Sequence, residues 1–217
     1  MTCLGETDID SIVFDLDGTL WDTCGACAVA WNNVLRRHAI AFREISAADV
    51  RSVAGKPHDA CIRQVFAGLP EEQLAILSEE TASEDNKVVA ELGGVLYAGV
   101  PEGLERLGAR YPLFIVSNCQ AGYIETFVRV HGFAGVFRDI ECWGNTGLSK
   151  AENLQRVIRR NRLVAPLFVG DTIGDLQAAE ACGTRFVHAA YGFGACAAAQ
   201  LRAASFAELS DGLLARR

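Results

Sequence analysis

The chain has 217 residues, half of them hydrophobic and 22% charged, enough apolar material for one large unit or a core carrying a smaller insert. Twenty basic against 27 acidic side chains leave a formal net charge of −7. That balance argues against a broad nucleic-acid or anionic-membrane surface, which needs a positive field, but it leaves room for a small anionic substrate beside one metal ion and one lysine. The opening MTCLGETDID lacks the basic segment and apolar run of an export signal, and no apolar run reaches the length of a membrane span, so a soluble, cytoplasmic protein is expected.

In chain order, residues 11–15 (SIVFD) form a nearly continuous apolar run that ends in a carboxylate and is followed by Asp17-Gly18-Thr19. Such runs, bounded by glycine, read as strands buried on both faces of a parallel sheet. Residues 21–92 break from that pattern, with helical periodicity and no convincing strand. Four helices are expected there, over 21–38, 46–53, 57–66 with proline at its start, and 71–92. Gly93-Gly94 then offers a hinge. Further strands are expected at 113–117, 139–143, 167–171 and 185–188, and helices at 101–109, 120–131, 150–161 and 174–182. The alanine-rich stretch 195–204 reads as a last helix. The expected architecture is α/β, a doubly wound, Rossmann-like parallel sheet formed by 1–20 and 93–217, with an all-helical cap inserted as 21–92.

The eight cysteines, at 3, 24, 27, 61, 119, 142, 182 and 196, sit in apolar or helical contexts. Without an export signal they read as reduced thiols packed as small hydrophobes. Cys24 and Cys27 form a C-x-x-C, but no second Cys/His pair follows at zinc-finger spacing.

Ligands of open α/β sheets collect beyond the carboxyl ends of the strands, where Asp15, Ser117 and Asp171 are expected. In Asp15-Leu-Asp17-Gly-Thr19, the first carboxylate faces the ligand, and the turn at Gly18 swings the second over the same site. A carboxylate nucleophile splits phosphate-ester hydrolysis into two steps through an aspartyl-phosphate, and a protonated neighbour serves the leaving alkoxide. Asp171 and Asp175, four apart at a strand-to-helix turn, suit magnesium, although an aspartate there also serves as a helix N-cap. Ser117-Asn118, between a strand and a helix, suits phosphate oxygens or capping. Lys150 opens a helix, an unfavourable place for a cation unless it pairs with the nucleophile and a phosphate. In the cap, Gly55 and Lys56 lie on the loop best placed to reach a substrate, while Trp21 either lines the pocket or packs the hinge.

The strings FDLDGTLWDT, VSNCQ, GLSKAENL and FVGDTIGDLQAA, in that order, resemble the haloacid dehalogenase superfamily, in its phosphoglycolate phosphatase-like branch with a helical cap. The resemblance implies an Mg²⁺-dependent phosphatase acting on a small phosphorylated metabolite. Asp15 would be the nucleophile, Asp17 the general acid/base, and Ser117, Asn118 and Lys150 the phosphate binders. Mg²⁺ would be held by Asp15, the Asp17 carbonyl and Asp171, with Asp175 behind them or on Lys150. Ala151 follows the lysine where relatives often carry proline. The same residues serve a sugar-phosphate mutase, and a scaffold that kept the fold would share them too. Dehalogenation makes the second acidic element superfluous. The sequence sets neither the physiological substrate nor the oligomeric state, monomer or dimer.

Overall fold

A computed structural model describes residues 9–215; Cys3 and the rest of the opening segment lie outside the described residues. The apolar runs fold as expected into buried parallel strands. In chain order the elements begin with β1 (Ser11–Phe14), β2 (Trp21–Asp22), α1 (Cys24–Arg37), α2 (Ala47–Arg51), α3 (His58–Val65), α4 (Glu71–Leu92) and β3 (Val95–Leu96). They continue with α5 (Val100–Gly108), β4 (Leu113–Ser117), α6 (Tyr123–Val130), β5 (Phe137–Cys142), α7 (Trp143–Thr146) and α8 (Lys150–Asn161). The chain closes with β6 (Pro166–Gly170), α9 (Ile173–Cys182), β7 (Arg185–Ala189), β8 (Arg202–Ala203) and α10 (Phe206–Leu214).

Six strands form one parallel sheet in the order β5-β4-β1-β6-β7-β8. The first strand is therefore central, with Val13 opposite Phe114 on one side and Phe168 on the other. Alternation along the strands feeds two cores. Ile12, Phe14, Ile115 and Val169 pack with α5, α6 and α10, through Leu104, Phe127 and Phe206. Val13, Phe114, Val116 and Phe168 pack with α8 and α9, through Leu154, Val157 and Ala179. Each of these large side chains, fully removed from water, stabilises the fold by about 1.5–3 kcal/mol before ordering entropy is counted. Helices on both faces make the sheet doubly wound, an α/β Rossmann-like core. Among the described residues no helix is long and apolar enough to cross a membrane.

Between β2 and β3, α1 packs on α2 and α4, and α3 packs on α4. Arg37 of α1 holds Glu80 and Glu84 of α4 from outside. Two local expectations are corrected here. Residues 21 and 22 do not begin the first helix: they form β2, antiparallel to β3 with Trp21 opposite Leu96, and the helix starts at Cys24. Trp21 is fully buried against Tyr123, Phe127 and His131, so it packs the crossing between layers instead of lining the cavity. The stretch 195–204 is not a helix either. Its backbone is drawn into the sheet edge, with His188 N–H donating to the Leu201 carbonyl and Ala190 N–H to Ala203. The Arg202 guanidinium meanwhile donates to the carbonyls of Cys196, Ala197 and Ala199. Strand pairing and these side-chain bonds override alanine's helical preference. The last helix is α10, capped by Ser205, whose hydroxyl accepts from the Glu208 N–H at 3.1 Å.

Candidate active site

Because β1 lies between β4 and β6, the carboxyl ends of these three strands are neighbours. Asp15 follows β1, Ser117 ends β4, and Asp171 follows β6. Lys150, the first residue of α8, is 6% exposed and reaches into the same place. Its Nζ lies 2.9 Å from Asp15 Oδ1, off hydrogen-bond alignment, and 2.6 Å from Asp175 Oδ1, to which it donates. Burial alone would discharge the ammonium, but the charges of Asp15 and Asp175 outweigh it and hold the lysine above its usual range. The other Asp175 oxygen, Oδ2, accepts from the Thr172 N–H at 2.9 Å and hydroxyl at 2.7 Å, a capping box that fixes the carboxylate before it meets the lysine.

Asp171 is held from another direction. The loop after β7 crosses the site, and its Phe193 and Gly194 N–H groups donate to Asp171 Oδ2 at 2.8 and 3.3 Å. His188 Nε2 lies 3.1 Å from both the Asp171 and Gly194 carbonyls and pins that loop. Two glycines make room. Gly18 has φ +81°, and a Cβ there would sit 2.3 Å from Asp171 Oδ2. A Cβ on Gly192 would sit 2.2 Å from the Gly18 carbonyl and 2.4 Å from Asp171 Cβ. Gly192→Ala is therefore expected to push the Asp171 carboxylate aside. Turnover should fall on the order of 10²-fold and stability by about 1–3 kcal/mol, read by a phosphate-release assay and a thermal melt. A variant with wild-type turnover would show that the loop yields freely.

Asp17 stands over the site from the turn after Asp15. It accepts from the Thr23 hydroxyl at 3.0 Å and the Tyr123 hydroxyl at 3.3 Å, and the two hydroxyls lie 2.7 Å apart. Burial pushes its carboxyl up to about 6, against the lowering effect of those hydrogen bonds. Burial also raises Asp15, relieved in part by Lys150 and worsened by Asp175 and Asp171. Asp171 is raised to about 7, by burial first and then by the charge of Asp175.

Three buried carboxylates, Asp15, Asp171 and Asp175, place one oxygen each within 4.8 Å of one another, facing a single ammonium. Both Asp175 oxygens are engaged by Lys150 and Thr172, whereas Asp171 Oδ1 is buried and has no hydrogen-bond partner. An all-oxygen set with surplus negative charge and an unpaired carboxylate oxygen fits a hard divalent cation.

A cavity of about 80 Å³ opens beside these groups, enough for a small ligand in place of several waters. Asp15, Asp17, Ser117, Asn118 and Lys150 all line it. Ser117 Oγ accepts from the Cys119 N–H at 3.4 Å. The Asn118 side-chain amide donates to the Gly55 carbonyl at 2.8 Å, tying the helical insert to the sheet. Gly55, at φ +86°, approaches Thr172 closely enough that a Cβ would lie 2.9 Å from its methyl group. Lys56 lines the mouth, exposed, with its ammonium donated to Gln64. Cys24 and Cys27 also line the cavity as free thiols that burial holds protonated, which suits packing and not zinc. His58 ends the loop expected to reach the site and does line the cavity, whereas sequence reasoning missed Thr23, Asp85, Gln120 and Tyr123, all on the cavity wall. Asp85 sits beside Glu84 in an acidic helix, and only the helical turn between them, one facing Arg37 and the other inward, separates their roles.

The haloacid dehalogenase-like hydrolase family model matches residues 12–189. A phosphoglycolate phosphatase of Vibrio parahaemolyticus is 28% identical over 204 residues, covering 87% of this chain and 86% of that protein. The corresponding enzyme of Photobacterium profundum is 29% identical over 198 residues, covering 85% of each. Among solved structures, a protein described as a predicted phosphoglycolate phosphatase from Haemophilus somnus superposes with a TM-score of 0.83 at 22% identity, covering 94% of this chain and 98% of its own. With the family match spanning most of its length, the chain belongs to the haloacid dehalogenase-like hydrolases.

Proposed function

We propose that the protein is an Mg²⁺-dependent phosphatase, phosphoglycolate phosphatase-like, that hydrolyses a small phosphate monoester through an aspartyl-phosphate on Asp15. The reading is supported above all by the meeting of Asp15, Asp17, Ser117 and Lys150 on one cavity with Asp171 beside them. A carboxylate oxygen of Asp15 attacks phosphorus, and the bond to the leaving alcohol oxygen breaks. Asp17, raised by burial, gives its proton to that oxygen. Water then attacks the acyl-phosphate, Asp17 takes the proton back, and Asp15 and phosphate are released. Lys150 keeps Asp15 aligned and offsets the phosphate charge, and the Ser117 hydroxyl donates to a phosphate oxygen. A divalent cation, which Asp15, Asp171 and the Asp17 carbonyl would hold, supplies charge neutralisation at the phosphoryl oxygens. The helical insert, bonded to the sheet layer through Asn118 and Gly55, excludes bulk water and meets the leaving group.

The test is a screen of phosphate monoesters. Phosphate release should require Mg²⁺, stop with EDTA, and in Asp17→Asn fall by about 10²–10⁴-fold for alkyl esters but far less for p-nitrophenyl phosphate, whose leaving group needs no proton. Metal-independent release, or an equal loss on both ester types, would refute the assignment.

A further inference from the structure

Thr23 stands at the N-cap of α1, where a threonine hydroxyl ordinarily accepts from the first turn of the helix. Its side chain makes no such bond, and the Cys24 N–H goes to Asp22 Oδ1 at 2.9 Å instead. The Thr23 hydroxyl is given to Asp17 Oδ1, at 3.0 Å. Tyr123, the first residue of α6, meets it from the sheet layer and is 3% exposed. The phenol oxygen lies 2.7 Å from Thr23 Oγ1 and 3.3 Å from Asp17 Oδ1, with Cys27 Sγ 3.6 Å away. A phenol has one proton to give, and the shorter distances set the order. Tyr123 donates to Thr23, and Thr23 donates to Asp17. The Cys27 thiol, held protonated by burial, donates weakly to Tyr123. Hydrogen bonds in such a chain polarise and strengthen one another.

The chain ends on one oxygen of Asp17. The Trp21 indole N–H lies on that side too, but it reaches no acceptor. In a carboxylic acid the carbonyl oxygen is the stronger acceptor, so donors gathered on Oδ1 leave the acid proton on Oδ2. We infer that Tyr123 is a positioning residue for the general acid: acting through Thr23, it fixes Asp17 Oδ1 as the accepting oxygen and so keeps the transferable proton on Oδ2. The hydroxyls and the thiol move no proton themselves. The one that reaches the leaving alcohol comes from Oδ2 and is recovered from water. This deepens the phosphatase reading above and rests on it. It also gives Cys27, half of the C-x-x-C, a place in the site that needs neither zinc nor redox chemistry.

Tyr123→Phe tests it, because it removes the hydroxyl and keeps the ring edge-on to Trp21 at 5.3 Å. On propyl phosphate, kcat should fall about tenfold while KM stays within about twofold of the parent. On p-nitrophenyl phosphate, whose leaving group needs no proton, the loss should be several-fold smaller. Thr23→Val, which keeps the side chain's shape, should show the same split between the two esters if the phenylalanine variant folds poorly. Added to Asp17→Asn, Tyr123→Phe should cost nothing further, since the group it positions is gone. A purely structural role for Tyr123 would lower both esters alike and lower the double variant again. Equal loss on the two esters, no loss on propyl phosphate, or an additive loss in the double variant overturns the inference. If Asp17→Asn still spares p-nitrophenyl phosphate, those results leave the phosphatase reading intact. No Mg²⁺-dependent release from either ester by the parent would remove both.

Discussion

Asp15→Asn should bring phosphate release down by on the order of 10⁴-fold or more, while the protein remains folded. The amide keeps the shape of the carboxylate but offers phosphorus no nucleophile, so the first bond cannot form. Folding should survive because Asp15 is 1% exposed and its charged form is disfavoured there, by burial first and by Asp175 and Asp171 next. Removing that charge relieves repulsion among three carboxylates, and Lys150 retains Asp175 at 2.6 Å. The expected melt therefore lies within a few degrees of the parent, about 1 kcal/mol either way. Acid-quenched turnover should trap phosphorylated protein from the parent and none from the variant. Appreciable turnover by the variant would move the nucleophile elsewhere.

Lys150→Met should do the opposite, damaging the fold as well as turnover. The substitution leaves Asp15 and Asp175 buried with no cation between them, and breaking a buried pair from one side costs about 3–5 kcal/mol. For a chain of this size that lowers the melting temperature by roughly 10 °C. The loss should depend on pH in a fixed direction. Asp15 is already raised by burial, and without the ammonium it rises further. A carboxyl whose folded value lies above its unfolded one keeps a proton that the unfolded chain would release. Its folded form is stable below the unfolded value and loses stability as pH climbs through the folded one. The deficit measured in EDTA should thus be smaller near pH 5 than near pH 8. A variant as stable as the parent across that range would mean that the ion pair contributes nothing net.

Much of the sheet was legible because parallel strands buried on both faces need unbroken apolar runs, and the chain has them at Ile12–Phe14, Leu113–Val116 and Leu167–Val169. Where periodicity was short or indirect, reading failed. A two-residue strand such as Trp21–Asp22 offers no period, and its neighbour Val95–Leu96 is far away in sequence. Residues 195–204 have helical composition, but their hydrogen bonds go to the strand edge and to Arg202, which no local pattern announces. In the site, the carboxylates at strand ends stood out because polar groups interrupt apolar runs there. Tyr123 and Asp85 did not, since each acquires its place only when distant helices pack. The amides that grip Asp171 carry no side-chain signature, and the glycines at 192 and 194 were their only trace.

The β2–β3 ribbon has a mechanical consequence. Both passages of the chain between sheet and helical insert are hydrogen-bonded to each other, with Trp21 wedged beneath them. Neither passage can twist alone, so any swing of the insert is confined to one axis, like a door on paired leaves. A swing about that axis has to release the bonds that join insert to sheet layer, among them Asn118 to the Gly55 carbonyl at 2.8 Å and Asn86 to the Ala121 carbonyl at 2.9 Å.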